Sequence, residues 1–194
     1  MASITLSRCH WVSSDELYID YHDTEWGVPL HGDKKLFEFL ILEGMQAGLS
    51  WITILKRRDN YRKAFANFDP RLVAAFTDTD IERLMNDAGI IRNRAKIMAA
   101  INNARRFLEV QQEFGSFSKY QWAFVKGSPL ENSWTSGSDV PAITDESIAF
   151  SKDLKKRGFK FVGPTTVYAH MQACGMVNDH IVDCFRFEQV KQLR

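Results

Sequence analysis

Residues 33–48, DKKLFEFLILEGMQAG, read as a helix whose apolar side chains run nearly all the way round. Such a helix cannot rest on a surface with one face in water, so other elements must surround it. The rest of the chain supplies helices for that purpose. In DPRLVAAF, Asp69 is an N-cap and Pro70 opens the helix. DIERLMNDAG places Ile81, Leu84, Met85 and Ala88 on one face and stops at Gly89. RNRAKIMAAINNARRFL does the same with Ile97, Ala100, Ile101, Ala104 and Leu108. TDESIAFSKDLKKRG runs from a Thr144 cap to Gly158, and PTTVYAHMQACG from Pro164 to Gly175. Period-two runs are absent. The expected fold is all-α, built from many short helices. Residues 1–194 form one unit, either a single body or two small helical lobes around a shared core. The loop-rich middle, GSPLENSWTSGSDVPAIT, is the segment expected to move.

An apolar fraction of 45% supports a packed core. No apolar run approaches the roughly 20 residues of a membrane span, and MASITLSR lacks the apolar stretch of a signal peptide. The expectation is a cytoplasmic protein with no membrane partner. A net charge of +1 means that any nucleic-acid contact must use locally gathered cations. Three cysteines argue against a disulfide framework and leave metal binding or burial.

MVNDHIVDC holds His180 and Cys184 four residues apart, one turn of a helix if the stretch is helical. Cys9 and His22 near the start would complete a Cys2His2 set. Four protein ligands around zinc leave no open position, so such a site would be structural and would tie the first residues to the last element. The spacing matches no short-range finger, and His10 and His170 are rival ligands. Buried apolar cysteines are the competing reading, and Cys174 reads best as packing.

Two further features carry chemistry. Glu43 falls on the apolar face with Leu36, Phe39, Leu40 and Ala47. A buried carboxylate needs a partner or a function, and the plainer reading is an Arg pair or an escape to solvent. In LKKRGFKFVGPTTVY, a helix ends at Gly158 and a short connection through Gly163 leads to a helix opened by Pro164, the glycines at both corners permitting φ > 0. Lys155, Lys156, Arg157 and Lys160 cluster there. Cations beside unpaired amides suit a phosphate, while an ordinary helical hairpin with a solvated basic face fits equally well.

WVSSDELYIDYHDTEWGVP, LFEFLILEGMQAGLSWITILKRR, DAGIIRNRAKI, KKRGFKFVG and MQACGMVNDH together resemble the type I DNA-3-methyladenine glycosylases, a bacterial branch of the helix-hairpin-helix glycosylases. The resemblance runs from about Cys9 to Phe185. It implies a zinc ion, one per chain, held by Cys9, His22, His180 and Cys184. It implies a monofunctional enzyme that flips 3-methyladenine out of double-stranded DNA and hydrolyses its N-glycosidic bond, releasing the free base. Glu43 would read the base and act in catalysis. Tyr21, Trp26 and Trp51, with Tyr18 as a weaker member, would stack on the cationic ring. Trp11 and Trp122 are assigned to core packing. Gly48 and Leu49 would enter the space vacated by the flipped nucleotide, and Gly158, Lys160 and Gly163 would hold phosphates. Asn178 stands where many superfamily members carry a catalytic Asp, with Asp179 shifted by one. Asn178 also suits the N-cap of a helix bearing His180 and Cys184. The competing reading is a zinc-stabilised protein that binds DNA lesions without cleaving them. A hydrolase working through the zinc conflicts with four protein ligands. A monomer is expected.

Overall fold

A computed structural model of the chain describes residues 6–193. The chain begins with α1 (Glu16–Thr24), capped by Asp15, whose side chain accepts from the Leu17 N–H. The apolar stretch forms α2 (Asp33–Gln46), in which Leu36, Phe37, Phe39, Leu40, Ile41, Leu42 and Met45 are all buried. There follow α3 (Trp51–Leu55), α4 (Arg58–Ala64), α5 (Pro70–Ala74) and α6 (Asp78–Asn86). The long α7 (Arg94–Phe114) and α8 (Phe117–Trp122) come next. The chain then passes through β1 (Leu130–Glu131) to α9 (Asp145–Lys156), α10 (Pro164–Ala173), β2 (Val177–Asn178) and α11 (Arg186–Lys191).

The central helix is enclosed as its composition demands: α10, α7, α3 and α8 all pack on α2. Capping agrees with the sequence at Asp69, which accepts from Arg71 and Leu72 N–H groups, and at Thr144. The α6 helix stops earlier than its pattern suggests. It ends at Asn86, and Ala88 is exposed outside it. Among the described residues no helix is long and apolar enough to cross a membrane.

Four expectations need correction. His180 and Cys184 do not share a helix. The segment between β2 and α11 is a set of turns, in which the Cys184 N–H donates to the Ile181 carbonyl at 2.8 Å. Asn178 therefore caps no helix; it lies in β2, accepts from the His180 N–H at 3.3 Å and donates to the Phe187 carbonyl at 3.1 Å. A two-residue parallel ladder exists, pairing Leu130 with Val177 and Glu131 with Asn178, too short to leave a period-two trace. In the α9–α10 connection Gly158 takes φ +87°, but Gly163 is extended at −63°, and Phe161 adopts the other left-handed position.

The loop between β1 and α9 is held to the C-terminal turn. Asn132 and Trp134 donate to Asp179 at 2.7 Å each, and Val182 N–H bonds the Trp134 carbonyl at 2.9 Å.

Candidate functional site

The turns at the C-terminal end of α1 and of α2 face one another across a cavity of about 300 Å³, within the range of small-ligand pockets. Tyr18 and Tyr21 come from α1, Trp26 from the turn after it, Glu43 and Gln46 from α2, and Trp51 from the start of α3. Tyr21, Trp26, Glu43 and Trp51 are buried and Tyr18 is half-buried. The Tyr21 and Trp51 rings lie 5.5 Å apart. Trp11, assigned to packing from sequence, also lines the cavity, 5.0 Å from the Trp26 ring and 5.1 Å from Tyr18. Trp122 is a packing residue as expected, its indole N–H bonded to the Leu30 carbonyl.

Glu43 does not pair with an arginine, and it is buried in the cavity wall rather than extended to the surface. It is 4% exposed, and its Oε2 has no hydrogen-bond partner. Burial alone pushes its carboxyl up to about 8. The indole N–H of Trp51 is unpartnered as well. One acceptor and one donor, both buried and unpaired in one aromatic cavity, fit a polar ligand with ring faces. The arginines that would have neutralised Glu43 are engaged elsewhere: Arg58 bridges Glu25 and Glu38, and Arg62 bonds Glu38.

Asp179 lines the same cavity, and sequence alone does not bring it there. Its Oδ1 accepts from Asn132 and Trp134, and its Oδ2 from Tyr168 at 2.6 Å and Gln172 at 2.8 Å. Four donors on two oxygens suit a carboxylate and leave it little capacity to bond a ligand directly. Gln46 is one turn past Glu43 on the same helix, a spacing that α2 alone could have revealed.

Beside the cavity, which Cys9 also lines, Cys9, His22, His180 and Cys184 are all buried, with their ligand atoms within 4.8 Å of one another. Cys184 Sγ lies 3.5 Å from His22 Nε2 and 3.5 Å from His180 Nδ1, and Cys9 Sγ lies 3.6 Å from His180 Nδ1. The edges of a tetrahedron with metal–ligand bonds of about 2.0–2.3 Å are about this long. The outward ring nitrogens are bonded too: His22 Nδ1 to Asp23 at 2.7 Å and His180 Nε2 to the Trp26 carbonyl at 3.1 Å. Ligating histidines are usually oriented in this way. The hydrogen bond from Cys9, with those of His180 and His22, holds the Cys184 thiol below its usual range, while the bond to Cys184 and burial hold the Cys9 thiol above it. The rival His10 and His170 lie outside the cluster.

Gly48 and Leu49 follow α2, between the cavity residues Gln46 and Trp51 in the chain. Gly48 takes φ +79°, and Leu49 is 39% exposed. Lys160 is exposed in the α9–α10 connection, as are Lys155 and Lys156. Arg157 is not available there, because it binds Glu113 and Asp153.

The methyladenine glycosylase family profile matches residues 11–187. The chain belongs to the methyladenine glycosylase family. It is 57% identical over 179 residues to DNA-3-methyladenine glycosylase 1 of Escherichia coli, covering 92% of this chain and 96% of that protein. It is 49% identical over 178 residues to the DNA-3-methyladenine glycosylase of Haemophilus influenzae, covering 92% and 96%. The solved structure of 3-methyladenine DNA glycosylase I from Staphylococcus aureus superposes with a TM-score of 0.91 at 42% identity, covering 94% of this chain and 97% of that one. In this methyladenine glycosylase the matched region holds every cavity aromatic and all of the Cys2His2 set except Cys9, which precedes it.

Proposed function

We propose that this protein is a monofunctional DNA glycosylase that flips 3-methyladenine from double-stranded DNA into the Glu43 cavity and hydrolyses its N-glycosidic bond in base excision repair. The observation that carries the reading is the buried, unpartnered Glu43 carboxyl facing an aromatic cavity in a chain of this family. In DNA, 3-methyladenine bears a positive charge. Tyr21, Trp26 and Trp51, joined by Trp11 and Tyr18, offer electron-rich faces to it. A cation beside Glu43 favours the ionised carboxylate, reversing the effect of burial. The carboxylate then accepts from the base's N–H groups. The glycosidic electrons pass to the base as the bond breaks, and the neutral base leaves. Water adds to C1′ of the sugar and gives up a proton to solvent, and the cavity's anionic groups stabilise the charge that develops there.

Gly48 and Leu49 fill the vacated stack, and the helical hairpin seats phosphates through Gly158, Lys160, Gly163 and the first amides of α10. Cys9, His22, His180 and Cys184 hold one structural zinc, which contributes a cross-link and no chemistry. The protein works as one monomeric unit in the bacterial cytoplasm. Incubation with methylated duplex DNA, followed by separation of the released bases, tests the reading: free 3-methyladenine is the expected product. Tight binding of lesion DNA with no base released would leave the lesion-binding alternative.

A further inference from the structure

Lys96 is buried in α7, and among the described residues its ammonium has no carboxylate partner. It donates instead to two backbone carbonyls, Met45 at 2.8 Å and Ala47 at 2.6 Å. The first is in the last turn of the helix that carries Glu43 and the second is on its C-cap residue, and the chain turns at Gly48 into exposed Leu49 immediately afterwards. A cation at a helix C-terminus is favourable there, but burying one without an anion is costly, and a neutral donor would cap the same carbonyls. Placement suggests what the charge secures. Lys96 and Asn103 are seven residues apart on α7, two turns and about 10 Å along one face. Asn103 donates to the Lys160 carbonyl at 2.9 Å and accepts from the Lys160 N–H at 2.8 Å. Asn102 adds a bond to the Gly158 carbonyl at 2.8 Å. One helix therefore holds both the chain immediately before Gly48–Leu49 and the α9–α10 connection, next to or within the two elements to which DNA contact is assigned. Phe161, from that connection, closes the gap over Gly44 of α2, to which α7 also contributes Lys96 and Asn103.

We infer that Lys96 is a positioning residue for nucleotide flipping: through the Met45 and Ala47 carbonyls it fixes Leu49 at a set distance from the phosphate-holding hairpin. The inference rests on the proposed glycosylase activity. Lys96 does not line the base cavity. Its loss should therefore leave the cavity's affinity for base intact and slow only the step in which Leu49 replaces the flipped nucleotide.

A double-mutant cycle with single-turnover excision on methylated duplex DNA tests it. Lys96→Met keeps length and removes the donors; Lys96→Gln is the milder second variant should the first not fold. Lys96→Met and Leu49→Ala should each slow excision about tenfold, and the double variant should be no slower than the worse single one. Free 3-methyladenine affinity, measured by titration, should stay within twofold of the parent for Lys96→Met. Multiplying losses would show that Lys96 does not act through Leu49. A parallel fall in free-base affinity would make it a support of the cavity instead. A salt slope for DNA binding reduced by about one unit would make it a direct phosphate contact. If the parent itself releases no base, the glycosylase reading fails; if the parent is active and Lys96→Met equals it, this inference alone fails.

Discussion

Glu43 is where a single residue decides most. The helical wheel already placed its carboxyl among Leu36, Phe39 and Leu40, because α2 is apolar on all sides and any charge in it stands out. The wheel could not tell whether an arginine would meet it, since that depends on helices distant in sequence; Arg58 and Arg62 turn to Glu38 instead. Trp11 packs on the core as its sequence suggests, and its place on the cavity is hidden for the same reason, because an aromatic's neighbours are set by tertiary packing. Two outcomes follow for Glu43. First, Glu43→Gln keeps the volume but removes the charge, so single-turnover excision should fall and free 3-methyladenine should bind more weakly by roughly 1.5–3 kcal/mol. A folded Glu43→Ala protein that binds and excises like the parent would remove Glu43 from the site. Second, the carboxyl's folded value, about 8, lies above its ordinary 4.5. Between those values the unfolded chain has lost the proton that the folded chain keeps, so this group's contribution is full below about 4.5 and lost as pH rises to about 8. Denaturant melts of parent and Glu43→Gln, compared across that window, should show the parent losing stability relative to the variant, by at most about 1.4 kcal/mol per pH unit. A constant difference would mean that Glu43 is ionised throughout.

At the scale of elements, the α9–α10 connection shows what sequence can and cannot specify. Pro164, Gly158 and the Thr144 cap are local signals, and all three fall where the helices begin or end. Which of its cations remain free is not local: Arg157 is bound to Glu113 and Asp153 and covers the Phe114 and Tyr120 rings, whereas Lys160 is exposed with its backbone pinned by Asn103. A pinned backbone and a free ammonium suit a phosphate contact that carries no base information. Lys160→Ala should weaken binding to lesion and normal duplexes alike and lower the salt slope by up to about one unit, with the spectrum of released bases unchanged. Binding isotherms at several salt concentrations measure this, and unchanged affinity at all of them would exclude Lys160 from the interface. The turn that carries His180 and Cys184 makes the opposite case. Its four-residue spacing suggested a helix, yet the bonds of Asn178 to His180 and Phe187, together with the β1–β2 ladder, hold it as turns. Both geometries bring two ligands together, so spacing alone could not choose between them.

At the scale of the whole molecule, the Cys2His2 cluster joins chain segments that are 171 residues apart, as measured from Cys9 to His180. No local pattern reports such a closure, which is why spacing left the metal open and the family resemblance was needed. A cross-link of that span stabilises mainly by limiting the unfolded chain, and the chain-entropy model gives about 5 kcal/mol as a ceiling for so long a loop. The first residues have native contacts besides the cluster, among them the Arg8–Asp23 pair and the Phe185 N–H bond to the Ser7 carbonyl, so on metal loss the fold should loosen at its ends rather than collapse. Purified protein should contain about one zinc per chain. Removing the metal with a chelator, or replacing Cys184 with Ala, should lower the melting temperature, at about 2–4 °C for each kcal/mol lost in a chain of this size. Amide exchange should speed up first around Cys9 and in α11. The cavity feels the loss through His180, whose Nε2 meets the Trp26 carbonyl, so free-base affinity should weaken less than stability does. A metal-free preparation that melts at the parent temperature would show that the cluster is held by burial and hydrogen bonds alone, and the structural role of zinc would have to be given up.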